Sequence, residues 1–404
     1  MHGAIVLKLI LRYKCINNIL FTFFNFTIMR KSYLMMAAAA TMLAACTQTD
    51  FVNEVPTEAP KAIAFENGFV NKTTRSENSS SNYTLRFYDH HQNFKVWGYK
   101  NVSTTAVFDG KVVNVTLGTG AGSEIYRYDG LVYWDESASN YHFYAAAPAG
   151  HNWTFKAPTS LTDQDQGSFS TTVSLEDASI HNDQGSHMTA LGDEEDLLIA
   201  APCQPIIGET VGLEFVHILS RLNIIVSKKS GMAEEVRSYE VSVKNIQKEG
   251  DFDEASEAAN PAGSYARWTT KGNNGEYKAT NDAGALVQEG VERHVIQTLV
   301  IPQAVTSEDI ALNGSDVTTD SEPYLYVKYG VANATDVEGN ATSFEIFEKY
   351  YNLAQIFGVT AGGTLPFNEG WENTLTLTIG PATIDFKASV ATWATQVQKQ
   401  NSLN

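Results

Sequence analysis

The chain has 404 residues and carries 46 acidic against 28 basic side chains, a formal charge of −18. Such a surface repels phosphate backbones, which excludes nucleic acid as an expected partner. Hydrophobic residues at 43% and aromatics at 11% exclude a disordered chain and call for a packed core.

Met29-Arg30-Lys31 supplies two positive charges, an apolar run follows, and Leu43-Ala44-Ala45-Cys46 ends it on small residues and a thiol. This order is that of a secretory signal peptide. About 12 apolar residues rise only about 18 Å and cannot cross a hydrocarbon core of about 30 Å. Leu43-Ala44-Ala45-Cys46 also fits a bacterial lipobox, in which Cys46 takes the lipid and becomes the first residue. Residues 29–45 are thus read as signal peptide and 46–61, rich in Thr, Pro and Glu, as a flexible tether. Residues 1–28 precede a signal that needs nothing in front of it, so a mis-assigned start is expected, with Met29 first.

Removing residues 1–45 leaves 359 residues, enough for two domains. It also takes the net charge to −23, because that segment holds five basic and no acidic side chains. Cys15 leaves with it and Cys46 is acylated, so Cys203 is the remaining thiol and no intramolecular disulfide is expected.

The first strand expected covers 62–69, with Ile63 and Phe65 on one face and Phe69 rejoining them past a bulge at Gly68. Residues 71–82 are polar, small and free of proline, an exposed loop open to proteases, and Arg75 is its single arginine. Short β-branched and aromatic runs follow at 95–99, 106–108, 111–115, 131–134 and 141–145. Asp109-Gly110 and Asp129-Gly130 between them predict tight hairpins. Residues 159–196 are polar loops around a strand at 168–174, and 197–201 is an apolar run short enough for a buried strand.

Pro202 and Pro205 interrupt strand pairing, which places a boundary between an N-terminal domain over 62–204 and a C-terminal domain over 205–404. Further strands are expected at 211–226, 239–246, 265–269, 295–301, 324–329, 374–379 and 384–390. Thr342-Ser343-Phe344-Glu345 offers a capping-box start, so 344–357 reads as a helix. Many short strands without a sustained 3.6 period imply a sandwich or barrel.

Several stretches, in one order along the chain, carry a resemblance. They are the lipobox at Cys46, Thr74-Arg75, Tyr133-Trp134, Tyr141-His142-Phe143-Tyr144-Ala145-Ala146-Ala147-Pro148 and Leu213-Glu214-Phe215-Val216-His217-Ile218-Leu219-Ser220-Arg221-Leu222. Ile301-Pro302-Gln303, Trp371-Glu372-Asn373-Thr374 and the stretch from Ile384 to Trp393 complete the set. Together they resemble the Mfa-like fimbrillin family, pilus subunits of anaerobic Gram-negative gut and oral bacteria.

The resemblance implies an all-β fold of two Greek-key, transthyretin-like β-sandwich domains. It further implies a structural subunit of a cell-surface fimbria that contributes to adhesion, exported as a lipoprotein to the outer membrane through its lipid anchor. Its partners are other fimbrial subunits, joined by strand addition, and beyond them host proteins or glycans. A protease would cleave after Arg75 and remove the strand carrying Ile63, Phe65 and Phe69, whose groove a neighbour's strand then fills. Ile384, Phe386 and Val390 alternate and are donor candidates, although a core strand of the second domain explains them as well.

Sharper chemistry is not expected. His217 lies among apolar residues with no second ligand at metal spacing, which suits a core histidine. Adjacent residues of Asp89-His90-His91 would point to opposite faces of a strand. Asp163-Gln164-Asp165-Gln166-Gly167 and Asp251-Phe252-Asp253-Glu254 lack the twelfth-position glutamate of a calcium loop. Cys203 beside prolines suits a packing residue. No phosphate, dinucleotide or nucleophile-elbow motif occurs, so neither enzyme activity, cofactor nor metal is expected. The alternative function is a surface lipoprotein that binds glycans through exposed aromatics such as Trp97, Trp153 and Trp268.

Overall fold

β-branched and aromatic residues in alternation need a partner strand on each side, and in the computed structural model of the protein nearly every such run finds one. The structure describes residues 60–70, 91–101, 106–119, 123–159, 167–176, 178–181, 190–191, 196–258, 265–272, 274–306, 323–360, 362–381 and 383–392. The chain divides into Met1–Ala62 and Ile63–Asn404, and the second unit carries every strand named below.

Its first half contains β1 (Phe65–Val70), β2 (Asn93–Lys100), β3 (Ala106–Leu117), β4 (Glu124–Arg127) and β5 (Tyr141–Ala147). There follow β6 (Thr154–Lys156), β7 (Ser168–Ser174), β8 (Ala178–His181), β9 (Ala190–Leu191), β10 (Leu198–Cys203) and β11 (Val211–His217). The second half runs through β12 (Ser220–Lys228), β13 (Val236–Gln247), β14 (Glu249–Asp253), β15 (Trp268–Thr270), β16 (Asn274–Val287) and β17 (Arg293–Val300). It closes with β18 (Gln303–Thr306), β19 (Tyr324–Thr335), β20 (Ala341–Asn352), one helical turn α1 (Leu353–Ile356), β21 (Thr364–Phe367), β22 (Trp371–Ile379) and β23 (Ile384–Thr392). The fold class is all-β.

A seven-stranded sheet has the order β1-β11-β10-β5-β2-β3-β4. Its central strand β5 is buried at every position because both of its faces are covered. Tyr141, Phe143 and Ala145 face a core with Phe94, Val96, Phe108 and Phe215. Tyr144 and Ala146 face the opposite way, toward Trp97, Trp153, Phe169, Phe252 and Trp268. The four-stranded sheet β15-β14-β7-β6 supplies the last three of those rings. Two five-stranded sheets, β23-β22-β12-β17-β9 and β20-β19-β13-β16-β8, enclose a third core built on Leu222, Ile224, Val241, Val243, Leu325 and Leu375.

The apolar run 211–226 is divided between sheets: β11 ends at His217 in the first sheet and β12 begins at Ser220 in another. Pro202 lies within β10, at a register irregularity between Ala200 and Cys203 opposite β5. Such a bulge is where a strand tolerates proline.

Three local expectations are corrected. Residues 344–357 are not a helix: β20 pairs antiparallel with β19 from Ala341 to Asn352, and only Leu353–Ile356 is helical. Phe347 and Tyr351 pack on the core beneath that strand, and Asn352 caps the short turn by accepting from Gln355 N at 3.1 Å, while residues 342–345 lie inside β20. Asp109-Gly110 does not turn the chain either; β3 continues through it, with the register slipping opposite Trp97. Gly110 at φ 64° absorbs the extra residue as a bulge and leaves room for the Trp97 ring above it. Residues 131–134 form no strand beyond a single bridge at Tyr133, because the chain turns at Gly130, φ 70°, and runs on as a loop.

Candidate functional site

The first strand expected from sequence lies at the edge of the seven-stranded sheet. β1 runs parallel to β11, with Phe65 opposite Val211 and Glu66 opposite Gly212. The register then slips, and Phe69 stands opposite Glu214 and Val70 opposite Phe215. Alternation decides what each residue does: Ala64 and Glu66 are exposed, whereas Ile63 is 1% and Phe65 6% exposed. Of Phe69, only the backbone is described.

Phe65 enters a cage of rings. It meets Phe94, Phe108, Tyr128 and Phe143 edge-on at centroid distances of 6.2, 5.6, 5.9 and 6.0 Å. Edge-to-face pairs add to the burial itself, which for Ile63 and Phe65 is worth about 1.5–3 kcal/mol each. Without β1 the groove between Val211, Leu213, Phe215 and these rings would open, and β11 would lose the partner of one edge.

The leading end of the strand is held by backbone bonds on two sides. Val211 N donates to Ala64 O at 2.8 Å, and Ile63 N donates to Val132 O at 2.8 Å. Tyr128 Oη donates to Ile63 O at 2.6 Å. Burial pushes the Tyr128 phenol up from its ordinary pKa.

The donor candidates lie elsewhere. β23 is itself an edge strand, antiparallel to β22, with Ile384 opposite Ile379, Phe386 opposite Leu377 and Val390 opposite Asn373. Ile384 is buried, Phe386 packs edge-on against Tyr351 at 4.6 Å, and Val390 is exposed. Cys46, Thr74 and Arg75 fall outside the described residues.

His217 is a core histidine, its Nδ1 2.6 Å from Asp196 Oδ2. His91 is buried as well, and burial lowers its pKa against the opposing pull of Asp196. Asp251 belongs to β14 and pairs with Lys271 at 2.8 Å. Among the described residues no group of three or more His, Cys, Asp or Glu side chains could hold a metal.

The stacking platform expected of a glycan binder is not present in the three tryptophans named for it. Trp97, Trp153 and Trp268 are 7, 8 and 7% exposed and converge in one core. Trp153 donates through Nε1 to Pro148 O and Trp268 to Ile218 O, both at 3.0 Å. Scattered along the sequence, the three are gathered by the sheets into one core.

Two of the described segments that carry the resemblance are framework. Ser220-Arg221-Leu222 of β12 lies parallel to Trp371-Glu372-Asn373 of β22. Gln303, buried after Ile301-Pro302, donates to Gln247 O at 3.0 Å and accepts from Gln247 N at 3.1 Å. Sequence reading missed Tyr128 and the buried Arg267–Glu369 ion pair. The one local sign of Tyr128 is its place just before the Asp129-Gly130 turn.

The sequence pattern of the fimbrillin-like family matches residues 74–393. Among solved structures, a fimbrial protein from Bacteroides vulgatus is similar at 14% identity and a TM-score of 0.45, over 81% of this chain and 99% of that one. A proposed cell adhesion protein from Bacteroides uniformis is similar at 14% identity and a TM-score of 0.43, over 84% and 99%. The tip fimbrial protein Mfa3 from Porphyromonas gingivalis is similar at 7% identity and a TM-score of 0.35, over 75% and 94%. No curated protein sequence matches the chain. With the family pattern covering residues 74–393, most of the chain, the chain belongs to the fimbrillin-like family.

Proposed function

We propose that this protein is a non-enzymatic structural subunit of a cell-surface fimbria, built of two Greek-key sandwiches whose boundary lies past the expected residue 204, since β11 still belongs to the first sheet, and contributing to adhesion to host surfaces. It is exported as a lipoprotein, anchored in the outer membrane through Cys46, and trimmed after Arg75. A strand from a neighbouring subunit then replaces β1. The observation that carries this reading is the placement of Ile63 and Phe65: both are buried, yet both lie at the leading end of a strand on the edge of its sheet. An edge strand can leave without crossing another, and its groove then offers backbone groups and apolar pockets to a replacement.

β23 is the donor this chain offers. Ile384-Asp385-Phe386 repeats the spacing of Ile63-Ala64-Phe65 and would present an aliphatic and an aromatic side chain to the same groove. It must first leave β22, so exchange would open an edge in the donor's own fold.

Expression in a fimbriated Gram-negative anaerobe tests the whole reading. Wild type should take up labelled fatty acid and appear in surface fibres, whereas Cys46→Ala should do neither. Normal labelling of Cys46→Ala would remove the anchor; unassembled protein at the surface would remove the subunit role.

A further inference from the structure

We infer that the 128–132 segment is a clamp that, together with β11, selects the strand filling the first-strand slot: one carrying an aliphatic-x-aromatic pair and running parallel to β11. The inference rests on the exchange reading above and names what that exchange admits.

Ile63 has both backbone groups satisfied from one side, its N–H by Val132 O and its C=O by Tyr128 Oη, while Ala64 turns its C=O to Val211 N on the other. Successive residues bonding left and right is the pattern of an interior strand, not of an open edge. The leading end of the slot therefore has two walls. One is β11; the other is a loop shaped by Gly130, whose positive φ brings Val132 back to within 3.5 Å of the Tyr128 hydroxyl. A strand in the reverse direction would present its N–H and C=O groups out of step with this hydroxyl and this carbonyl.

The side chains complete the selection. Tyr128 also forms part of the cage, its ring edge-on to Phe65 at 5.9 Å and to Phe108 at 5.3 Å. One residue thus binds the backbone of the aliphatic position and packs the aromatic position two residues on. A strand without the aromatic leaves a void among four rings, and one with a bulky residue in place of Ala64 is tolerated because that position faces solvent.

The test uses the full chain, cut after Arg75 with its first strand removed in mild urea, and synthetic peptides followed by fluorescence anisotropy. A peptide of residues 61–70 should bind, and one of residues 384–392 should compete with it. The reversed sequence should not bind, and a Phe65→Ala peptide should bind at least about 100-fold more weakly. Tyr128→Phe protein should hold the 61–70 peptide about 3- to 10-fold more weakly, and N-methylation at Ile63 should weaken it similarly without altering the protein. In the uncut chain, the Ile63 amide should exchange faster by a like factor in Tyr128→Phe, a readout that stands even where the trimmed protein does not stay folded.

Equal peptide affinity for wild type and Tyr128→Phe, or unchanged Ile63 exchange, overturns the clamp. Tyr128-dependent binding by a trimmed protein that never multimerises keeps the clamp and removes the assembly reading. Multimers that form as readily from Tyr128→Phe do the reverse.

Discussion

Asn373 holds Ser220: its Nδ2 donates to Ser220 Oγ at 3.1 Å across 153 positions of sequence, and to Arg221 O at 3.3 Å. Ser220 Oγ in turn donates to Trp371 O at 3.1 Å. The crossing tie fixes β12 against β22 where the chain enters the third core, and both residues are fully buried. Removing the amide would leave buried partners unsatisfied, so Asn373→Ala should lose about 1–3 kcal/mol. Urea unfolding measures it; a midpoint equal to wild type would mean that the tie carries no stability.

Arg267 and Glu369 form the most deeply buried ion pair described, with side chains 3 and 1% exposed. Arg267 Nε donates to both carboxylate oxygens, at 3.0 and 3.1 Å, and the guanidinium lies 5.0 Å from the centre of the Phe252 ring. Glu369→Gln should cost about 3–5 kcal/mol because a charge is left in the interior. The double variant Arg267→Met, Glu369→Leu should be far less damaged, since nothing charged remains to bury. Thermal melting of both decides it, and equal losses would contradict this account.

Lys100 Nζ lies 2.7 Å from Asp135 Oδ2, and Ser137 donates to the same carboxylate through Oγ at 2.6 Å and N at 3.0 Å. The lysine first, then the serine, lower the Asp135 pKa from 3.8 to about 2. A carboxyl depressed on folding stabilises the fold above its ordinary value, and that contribution is lost as pH falls through about 2. Carbon NMR should follow Asp135 titrating near 2, and Lys100→Ala should move it back toward 3.8. An unchanged titration in that variant would refute the pairing.

Cys203 is a buried thiol beside Pro202 in β10, 8% exposed, opposite Phe143 of β5. With Cys15 removed and Cys46 taken by the lipid, as proposed above, no second thiol is left to pair with Cys203, and the wild type should melt alike under oxidising and reducing conditions. A redox-dependent melting temperature that disappears in Cys203→Ser would reveal an intermolecular bridge.

Strands with period-2 alternation and turn residues at their ends were legible: 168–174 is β7, and 374–379 and 384–390 lie within β22 and β23. Elsewhere, local spacing admits two structures. Phe344, Phe347 and Tyr351 stand at intervals of three and four and fit a helix face, yet β19 provides a ladder along the whole stretch and the tertiary pairing wins. Asp109-Gly110 satisfies the same demand for positive φ in a hairpin and in a bulge, so only the length of β2 opposite it decides. At the candidate site, Ile63 and Phe65 were legible from alternation. Tyr128 was not, because its bond to Ile63 spans 65 positions of sequence, and no local pattern encodes which loop a phenol will meet.

The exchange of β1 is tested most directly by treating purified protein with an arginine-specific protease and following mass and oligomer size together. Strand exchange requires loss of the N-terminal segment through Arg75 and ladders of multimers from the wild type, with Arg75→Ala remaining uncut at that position, folded and monomeric. A trimmed protein that stays monomeric and as stable as the uncut chain would contradict it.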